Sequence, residues 1–392
     1  MENSIKNKSH ILPILFIFMM MILNAAAENV RGIFIPMFKS DFSVNDTEIG
    51  LMLTVSSMGY LIFTYIGGVL CEKIGQKKVF ISGFIAIIIS LSGLWATKSY
   101  IILLSCMFIM NIGLALISIA INTIIPVLFI SFQAVLMNLT HFCYGLGSTV
   151  VQRLSGVLLF NGVAWRTIYL GEAILFLLVL LFFLPIKIPN THKSKANNGE
   201  QTKNSHLLKN KLVYFYMLGL GFYVFAEMGT ASWFVNFIEK TYAYDKSRSS
   251  FYLALFFGLL TVGRLIGGFI AEKVGYLKLV LISLSAAALL FAIGISIGES
   301  GLVIISISGL FFAVTFPTVV VTISKVFKDH GAYATGIIVT ASSTFNMVLN
   351  MVMGYLNDTI GVYNSFYLIP LGLAVSFFFI FAIYKNVSST TR

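Results

Sequence analysis

The stretch "GGVLCEKIGQKKVF", residues 67–80, gathers Glu72, Lys73, Lys77 and Lys78 into one short cluster within a strongly apolar chain. The pattern returns at 267–280 as "GGFIAEKVGYLKLV". At that offset Gly67/Gly267, Gly68/Gly268, Glu72/Glu272, Lys73/Lys273, Gly75/Gly275 and Lys78/Lys278 are identical pairs. A repeat displaced by half the chain points to two related halves.

Composition says which solvent those halves occupy. Of 392 residues, 58% are hydrophobic, only 10% are charged, and 36 are Phe. Soluble domains carry roughly 25% charge. A single water-facing core cannot hide so much apolar surface, and the runs suit spanning helices of about 20 residues. They lack the short alternation of a membrane barrel. The fold class expected is therefore an all-α polytopic membrane protein lying in a lipid bilayer. The net charge of +11 is then no sign of nucleic-acid binding, because cytoplasmic loops of membrane proteins collect Lys and Arg. Cys71, Cys106 and Cys143 show no CxxC or Cys/His spacing, so no metal site, cofactor or disulfide framework is expected. The run from about Ile11 to Ala27 leads into Glu28, Asn29 and Arg31 without a small-residue cleavage site. It reads as a retained first helix.

Twelve spans are expected, at 11–36, 47–70, 78–97, 100–126, 133–160, 165–186, 212–238, 249–271, 278–298, 301–325, 332–356 and 363–384. They divide six and six around residues 187–211, a polar stretch rich in Asn and Lys that reads as a linker. The expected domains are a bundle over 1–186, a linker over 187–211 and a second bundle over 212–392. One alternating set of loops, with both termini, holds seventeen Lys and Arg; the other holds six among several acids. By this bias both termini and the linker face the cytoplasm, at the cell (plasma or inner) membrane. Both copies of the opening motif then lie in cytoplasmic loops.

Each copy closes a span with paired glycines, Gly68 and Gly268 among them. Small residues let helices approach closely in lipid, and Gly75 and Gly275 permit a tight turn. An acid beside a helix N-terminus gains from the helix dipole. Such a latch can break and reform between two states. The plainer reading is a positive-inside loop with packing glycines, and two copies in corresponding places favour the latch.

Residues 68–78 resemble the loop signature of the major facilitator superfamily, G-x-x-x-D-R/K-x-G-R/K-R/K. Gly68, Lys73, Gly75, Lys77 and Lys78 match, with Glu72 where Asp is usual. The second copy matches at Gly268, Glu272, Lys273 and Gly275, and Arg264 fits the G-R-x-x-G-G often found there. The resemblance covers essentially the whole chain. It implies two six-helix bundles around a central cavity with a midplane site. Within that superfamily the chain looks most like the fucose/glucose permease-like sugar:proton symporters. "LTHFCYGLGSTV" (139–150) is similar to their fifth-span H-F-x-Y-G-x-G pattern, and "FYVFAEMGTASWFVNF" (222–237) to their seventh-span pattern. "FPTVVVTISKVF" (316–327), followed by "ATG", is similar to their tenth and eleventh spans. Gln152-Arg153 replaces a usual Gly-Pro, and Ser118 stands where such members often carry an acid.

Ionisable residues within hydrocarbon are costly and usually face a cavity or a partner. On a straight helix Asn24, Glu28 and Arg31 share one stripe, and Glu28 and Arg31 can pair within it. Either the stripe faces the solute or the pair neutralises itself structurally. Tyr223, Glu227 and Thr230 share a face of the seventh span. As an unpaired acid, Glu227 would carry a proton or bind a hydroxyl; a bond to a neighbouring helix is the alternative. Proton coupling is assigned to Glu28 and Glu227. Trp233 and Asn236 resemble family positions near the outer mouth and suit a sugar's mixed faces, with an interface-belt Trp as the alternative. His141 and Gln152 share a face of the fifth span, and Asn111, Ser118 and Asn122 one of the fourth. Asn346 is a weaker candidate of the same kind. Arg153 and Glu172 lie at matching depths and are expected to form a structural ion pair; the competing idea is that Arg153 receives an anionic solute.

The expected function is secondary active transport of a small, polar, sugar-like solute by a monomer, coupled to protons. An exporter of drugs or organic anions and a non-transporting sensor are the alternatives. No phosphate-binding loop appears, nor any nucleophile–base pair, so no enzyme is expected.

Overall fold

The computed structural model describes residues 2–128, 133–186, 209–327 and 331–390, with side chains over 15–71, 73–121, 139–186, 209–323, 325–327 and 334–387. Most of the expected linker, 187–208, lies outside the described residues. The first helices in chain order are α1 (Glu2–Asn29), α2 (Arg31–Phe42), α3 (Asp46–Ile74), α4 (Gln76–Ala96), α5 (Tyr100–Leu128), α6 (Gln133–Phe160) and α7 (Trp165–Phe183). Then come α8 (Lys211–Tyr242), α9 (Lys246–Val274), α10 (Tyr276–Ile297), α11 (Leu302–Phe312), α12 (Thr315–Val326), α13 (Gly331–Ile360), α14 (Val362–Ser365) and α15 (Leu368–Thr390). Eleven segments among the described residues are long and apolar enough to cross a membrane, and α6 makes the twelfth span.

Three spans are built from two helices each, and prolines explain two of the interruptions. The chain leaves regular helix at Val30, at Ala313–Val314 and at Phe366–Tyr367. Each break precedes a proline: Pro36, Pro317 and Pro370. A proline ring opposes the carbonyl four residues earlier and has no N–H to offer it; Ala313 and Phe366 stand at their breaks, whereas Gly32 lies inside α2, two residues after Val30. Helix starts carry readable caps. Asn45 and Glu48 form a reciprocal capping box, each backbone N–H donating to the other's side chain at 2.8 and 2.9 Å. Asp245 accepts from the Arg248 N–H at the start of α9.

The chain divides into two compact units, one of Met1–Val44 with Met52–Ser194 and one of Asn45–Leu51 with Lys195–Arg392. The abundant Phe fills the interior of each. Phe16 stacks on Phe183 at 4.2 Å between ring centres in the first unit, and Phe237 on Phe366 at 4.1 Å in the second. Hydroxyls tie helices together where lipid offers no hydrogen bonds. Ser90 donates to the Cys106 carbonyl, and Ser376 to that of Gly219, each at 2.6 Å. In the second unit Asp358 accepts from the N–H groups of Asp46 and Thr47 at 3.0 and 2.6 Å, supplying a carboxylate to the start of α3.

The repeated motif does turn two corners. Gly75 and Gly275 sit at φ 85° and 97°, ahead of α4 and α10, where a side chain would be strained. Of each glycine pair expected to pack, only the first member does so. A Cβ on Gly68 or Gly268 would meet nothing within 4 Å, whereas one on Gly67 would lie 2.8 Å from Ile119 and one on Gly267 2.0 Å from Val314. Both spans thus reach a neighbouring helix through the first glycine of the pair. Gly267→Ala is expected to destabilise by about 1–3 kcal/mol through overpacking against the stiff, buried Val314. Gly268→Ala should be near neutral. Melting temperatures in detergent test this, and equal effects would refute the assignment.

Candidate functional site

In the first unit, polar side chains of α1 meet those of α5 and α6. The Asn24 amide donates to Ser118 Oγ at 3.3 Å. Tyr144 donates its hydroxyl to Glu28 Oε2 at 2.5 Å. Buried Asn29 directs one amide group at three acceptors: Tyr144 Oη at 3.1 Å, Ser148 Oγ at 3.0 Å and the Ala25 carbonyl at 3.0 Å. An amide has two hydrogens, so these bonds are shared. Tyr60 lies against Ser118 and within electrostatic reach of Glu28. Glu28 is half-buried, and Tyr144 engages one of its oxygens. The arrangement presents an accessible carboxylate, a phenol and an amide within one small space.

Asn24, Glu28 and Ser118, expected to share a site, are brought together. Asn29, Tyr144 and Tyr60 complete it and were not among the sequence candidates. Tyr144 stood inside the quoted fifth-span pattern and was legible there. Asn29 was not, because on a straight helix it lies about 100° from Glu28.

Several other candidates fall elsewhere. Asn111 bonds the Met107 carbonyl of its own helix. His141 is exposed. Gln152 is fully buried, and neither amide atom has a partner among the described residues. The side chains of Asn122 and Glu72 lie outside the described residues. The Glu28–Arg31 pair is not formed. Arg31 opens α2, and its buried Nη1 has no partner among the described residues. Nor is the Arg153–Glu172 pair formed. Arg153 is exposed, while Glu172 is buried with both oxygens unpartnered among the described residues. Matching depth sets height along a helix, not the direction a side chain faces.

In the second unit, Glu227 is not an unpaired acid. Arg264 Nη2 bonds its Oε1 at 2.8 Å, and the Tyr223 hydroxyl lies 2.6 Å from its Oε2. The same hydroxyl is 2.6 Å from the Phe312 carbonyl, beside the break between α11 and α12, so one proton serves two acceptors. Tyr223 is fully buried and Glu227 nearly so. Arg264, grouped by sequence with the loop motif, belongs to this cluster instead. It stands ten residues before Val274 ends α9, about 15 Å along the helix. Trp233 is fully buried and donates to Asn350 Oδ1 at 3.0 Å, which rules out an interface-belt position. Asn350 in turn donates to Asn346 Oδ1 at 2.6 Å. The buried Asn236 amide reaches Asp46 Oδ1 at 3.5 Å.

The loop motif itself is only partly engaged. Lys77 donates to the Leu184 carbonyl at 2.7 Å, placing a cation at the C-terminal end of α7. In the second copy Glu272 and Lys273 are exposed and join no latch with described residues. Among the described residues no three His, Cys, Asp or Glu gather as metal ligands. What both clusters can do is exchange hydrogen bonds with hydroxyls and hold or release protons.

Residues 17–343 match the family model described as the Major Facilitator Superfamily. The chain is 25% identical over 359 residues to the glucose/galactose transporter of Brucella abortus, covering 87% of this chain and 86% of that one. It is 24% identical over 424 residues to the L-fucose-proton symporter of Escherichia coli K12, covering 98% and 95%. A crystal structure of the Escherichia coli fucose:proton symporter superposes with a TM-score of 0.68 at 21% identity, over 95% and 98% of the two chains. At that identity the likeness is one of fold.

Proposed function

Since the chain belongs to the major facilitator superfamily, and so is a multi-pass membrane transporter rather than an enzyme, we propose that its solute is small and hydroxyl-rich, of sugar type, and that protons drive it by alternating access. One observation carries this reading: each unit holds an acid against a tyrosine hydroxyl, Glu28 with Tyr144 and Glu227 with Tyr223. A carboxylate accepts, a phenol does both, and an amide adds donors, which suits a ligand that is itself a ring of hydroxyls. Relatives that carry glucose, galactose and L-fucose support the solute class. Exposed Arg153 gives little support to an anionic solute.

Proton coupling rests on the same acids. A proton arriving on Glu227 ends its ion pair with Arg264, so binding a proton and rearranging that cluster become one event. Glu28 is half-buried and, among the described residues, accepts a phenol's bond and joins no ion pair, so it can take a proton without breaking one. The Lys/Arg bias of the loops supports cytoplasmic termini, and the family resemblance supports a monomer.

The test is uptake into vesicles holding the purified protein. Labelled hexoses should accumulate under an inward proton gradient and leave when an ionophore collapses it. Hexoses that neither accumulate nor shift the melting temperature would sink the solute class. Accumulation indifferent to the gradient would sink the coupling.

A further inference from the structure

We propose that Glu172 is a further proton-binding site, in the first unit and separate from Glu28 and Glu227, with Arg31 as the partner its carboxylate takes when the proton leaves. This inference rests on the chain being a transporter but not on the identity of its solute. Glu172 lies on α7 seven residues after Trp165 begins it, about 10 Å along the helix. It is 93% buried, from a relative exposure of 7%, and neither oxygen has a hydrogen-bond partner among the described residues. Tyr169, one turn earlier, is fully buried with its hydroxyl also unpartnered. Arg31 buries an unpartnered Nη1. Both Glu172 and Arg31 are within electrostatic reach of the Tyr169 hydroxyl. A buried carboxyl and a buried guanidinium nitrogen thus lie near one buried tyrosine hydroxyl.

A bare carboxylate or guanidinium in hydrocarbon is strongly disfavoured, and a structure relieves this by neutralising or pairing the group. Here the acid and the base stand apart rather than joined. That is the arrangement expected when Glu172 carries a proton and Tyr169 is free to donate to its carbonyl oxygen. When the proton passes to water, the carboxylate becomes the natural partner of Arg31. Arg31 is the first residue of α2, directly after Val30, and its long, rotatable side chain supplies the reach. Phe34 and Trp165 enclose the Tyr169 ring, at 5.1 and 5.8 Å between centres, and keep the site narrow.

The other charged groups on elements packed against α7 have their own places. Glu28 on α1 is held by Tyr144. On α4, Lys77 binds the Leu184 carbonyl, about 18 Å further along the helix axis, and Lys78 is exposed. On α6, His141 and Arg153 are exposed. Arg166, on α7 itself, pairs with Asp41 at 2.5 Å. On α2, Lys39 stands eight residues, about 12 Å, beyond Arg31 and has an interaction of its own, so among the described residues Arg31 remains the cation available to Glu172.

Infrared difference spectra of the full-length protein in lipid vesicles, taken across a pH series, read the protonated carboxylic acid directly. A carbonyl band is expected in the wild type, retained in Glu227→Gln and missing in Glu172→Gln. Neutral Gln matches the protonated acid, so Glu172→Gln should melt no lower than the wild type. Arg31→Gln leaves the acid in place and removes the cation that favours its charged form. It should move the loss of that band to higher pH by one unit or more, a tenfold change in proton affinity. A spectrum unchanged by Glu172→Gln overturns the site, and a band unmoved by Arg31→Gln overturns the switch.

Discussion

Glu227→Gln is expected to abolish gradient-driven accumulation while sparing solute exchange across the membrane at equal pH. Exchange requires no net proton movement, so it separates loss of coupling from loss of binding. The ion pair it breaks is largely buried, with side chains 21% and 6% exposed for Arg264 and Glu227. Removing one member of a buried pair costs about 3–5 kcal/mol, because the survivor keeps its charge without a partner. The single variants Glu227→Gln and Arg264→Gln should therefore melt well below the wild type. The double variant should regain much of that stability, since two neutral amides leave no orphan charge. Accumulation should stay lost in all three. Should the double variant transport against a gradient, the cluster is a strut and the proton assignment at Glu227 falls.

The second large effect is expected at Tyr144. Its bond to Glu28 is a hydrogen bond to a charged group, worth about 1.5–3 kcal/mol. If the solute is read through that carboxylate, Tyr144→Phe should raise the concentration for half-maximal uptake by about 10- to 100-fold, at about 1.4 kcal/mol per tenfold. Asn29→Ala should act in the same direction. It withdraws the amide from Tyr144 and Ser148 together and releases the phenol that aims at Glu28. Both variants keep the helices intact, so thermal stability without ligand should change far less than stabilisation by ligand. Wild-type affinity in a stable Tyr144→Phe protein would remove the first-unit cluster from solute binding.

The two clusters differ in how far they could be read ahead of the fold. Glu227 and Tyr223 lie four residues apart on one uninterrupted helix, where periodicity alone places them together. Their third member, Arg264, is on another helix, and the motif it stands beside in the sequence drew it into a loop role that its depth along α9 contradicts. In the first unit, the stripe Asn24, Glu28, Arg31 is correct for two of its three members. It fails at Arg31, although the backbone at Val30 stays helical at φ −66° and ψ −28°: sharing a face does not oblige two side chains to pair. The pairs of glycines show the same limit at smaller scale: their spacing announces close approach, yet which of two adjacent residues is in contact depends on how the helix is rotated.

From the chain alone came the class of solvent, the twelve spans, the repeated loop motif and the turns at Gly75 and Gly275. All of these follow from local quantities, namely apolar length, spacing along a helix and the backbone freedom of one residue type. Partnership came only with tertiary structure. It joined Arg264 to Glu227, Tyr144 to Glu28 and Trp233 to Asn350, and it parted Arg153 from Glu172. Which side chains meet depends on the rotation of each helix and on where prolines interrupt it, and both are settled by packing among residues far apart in the chain.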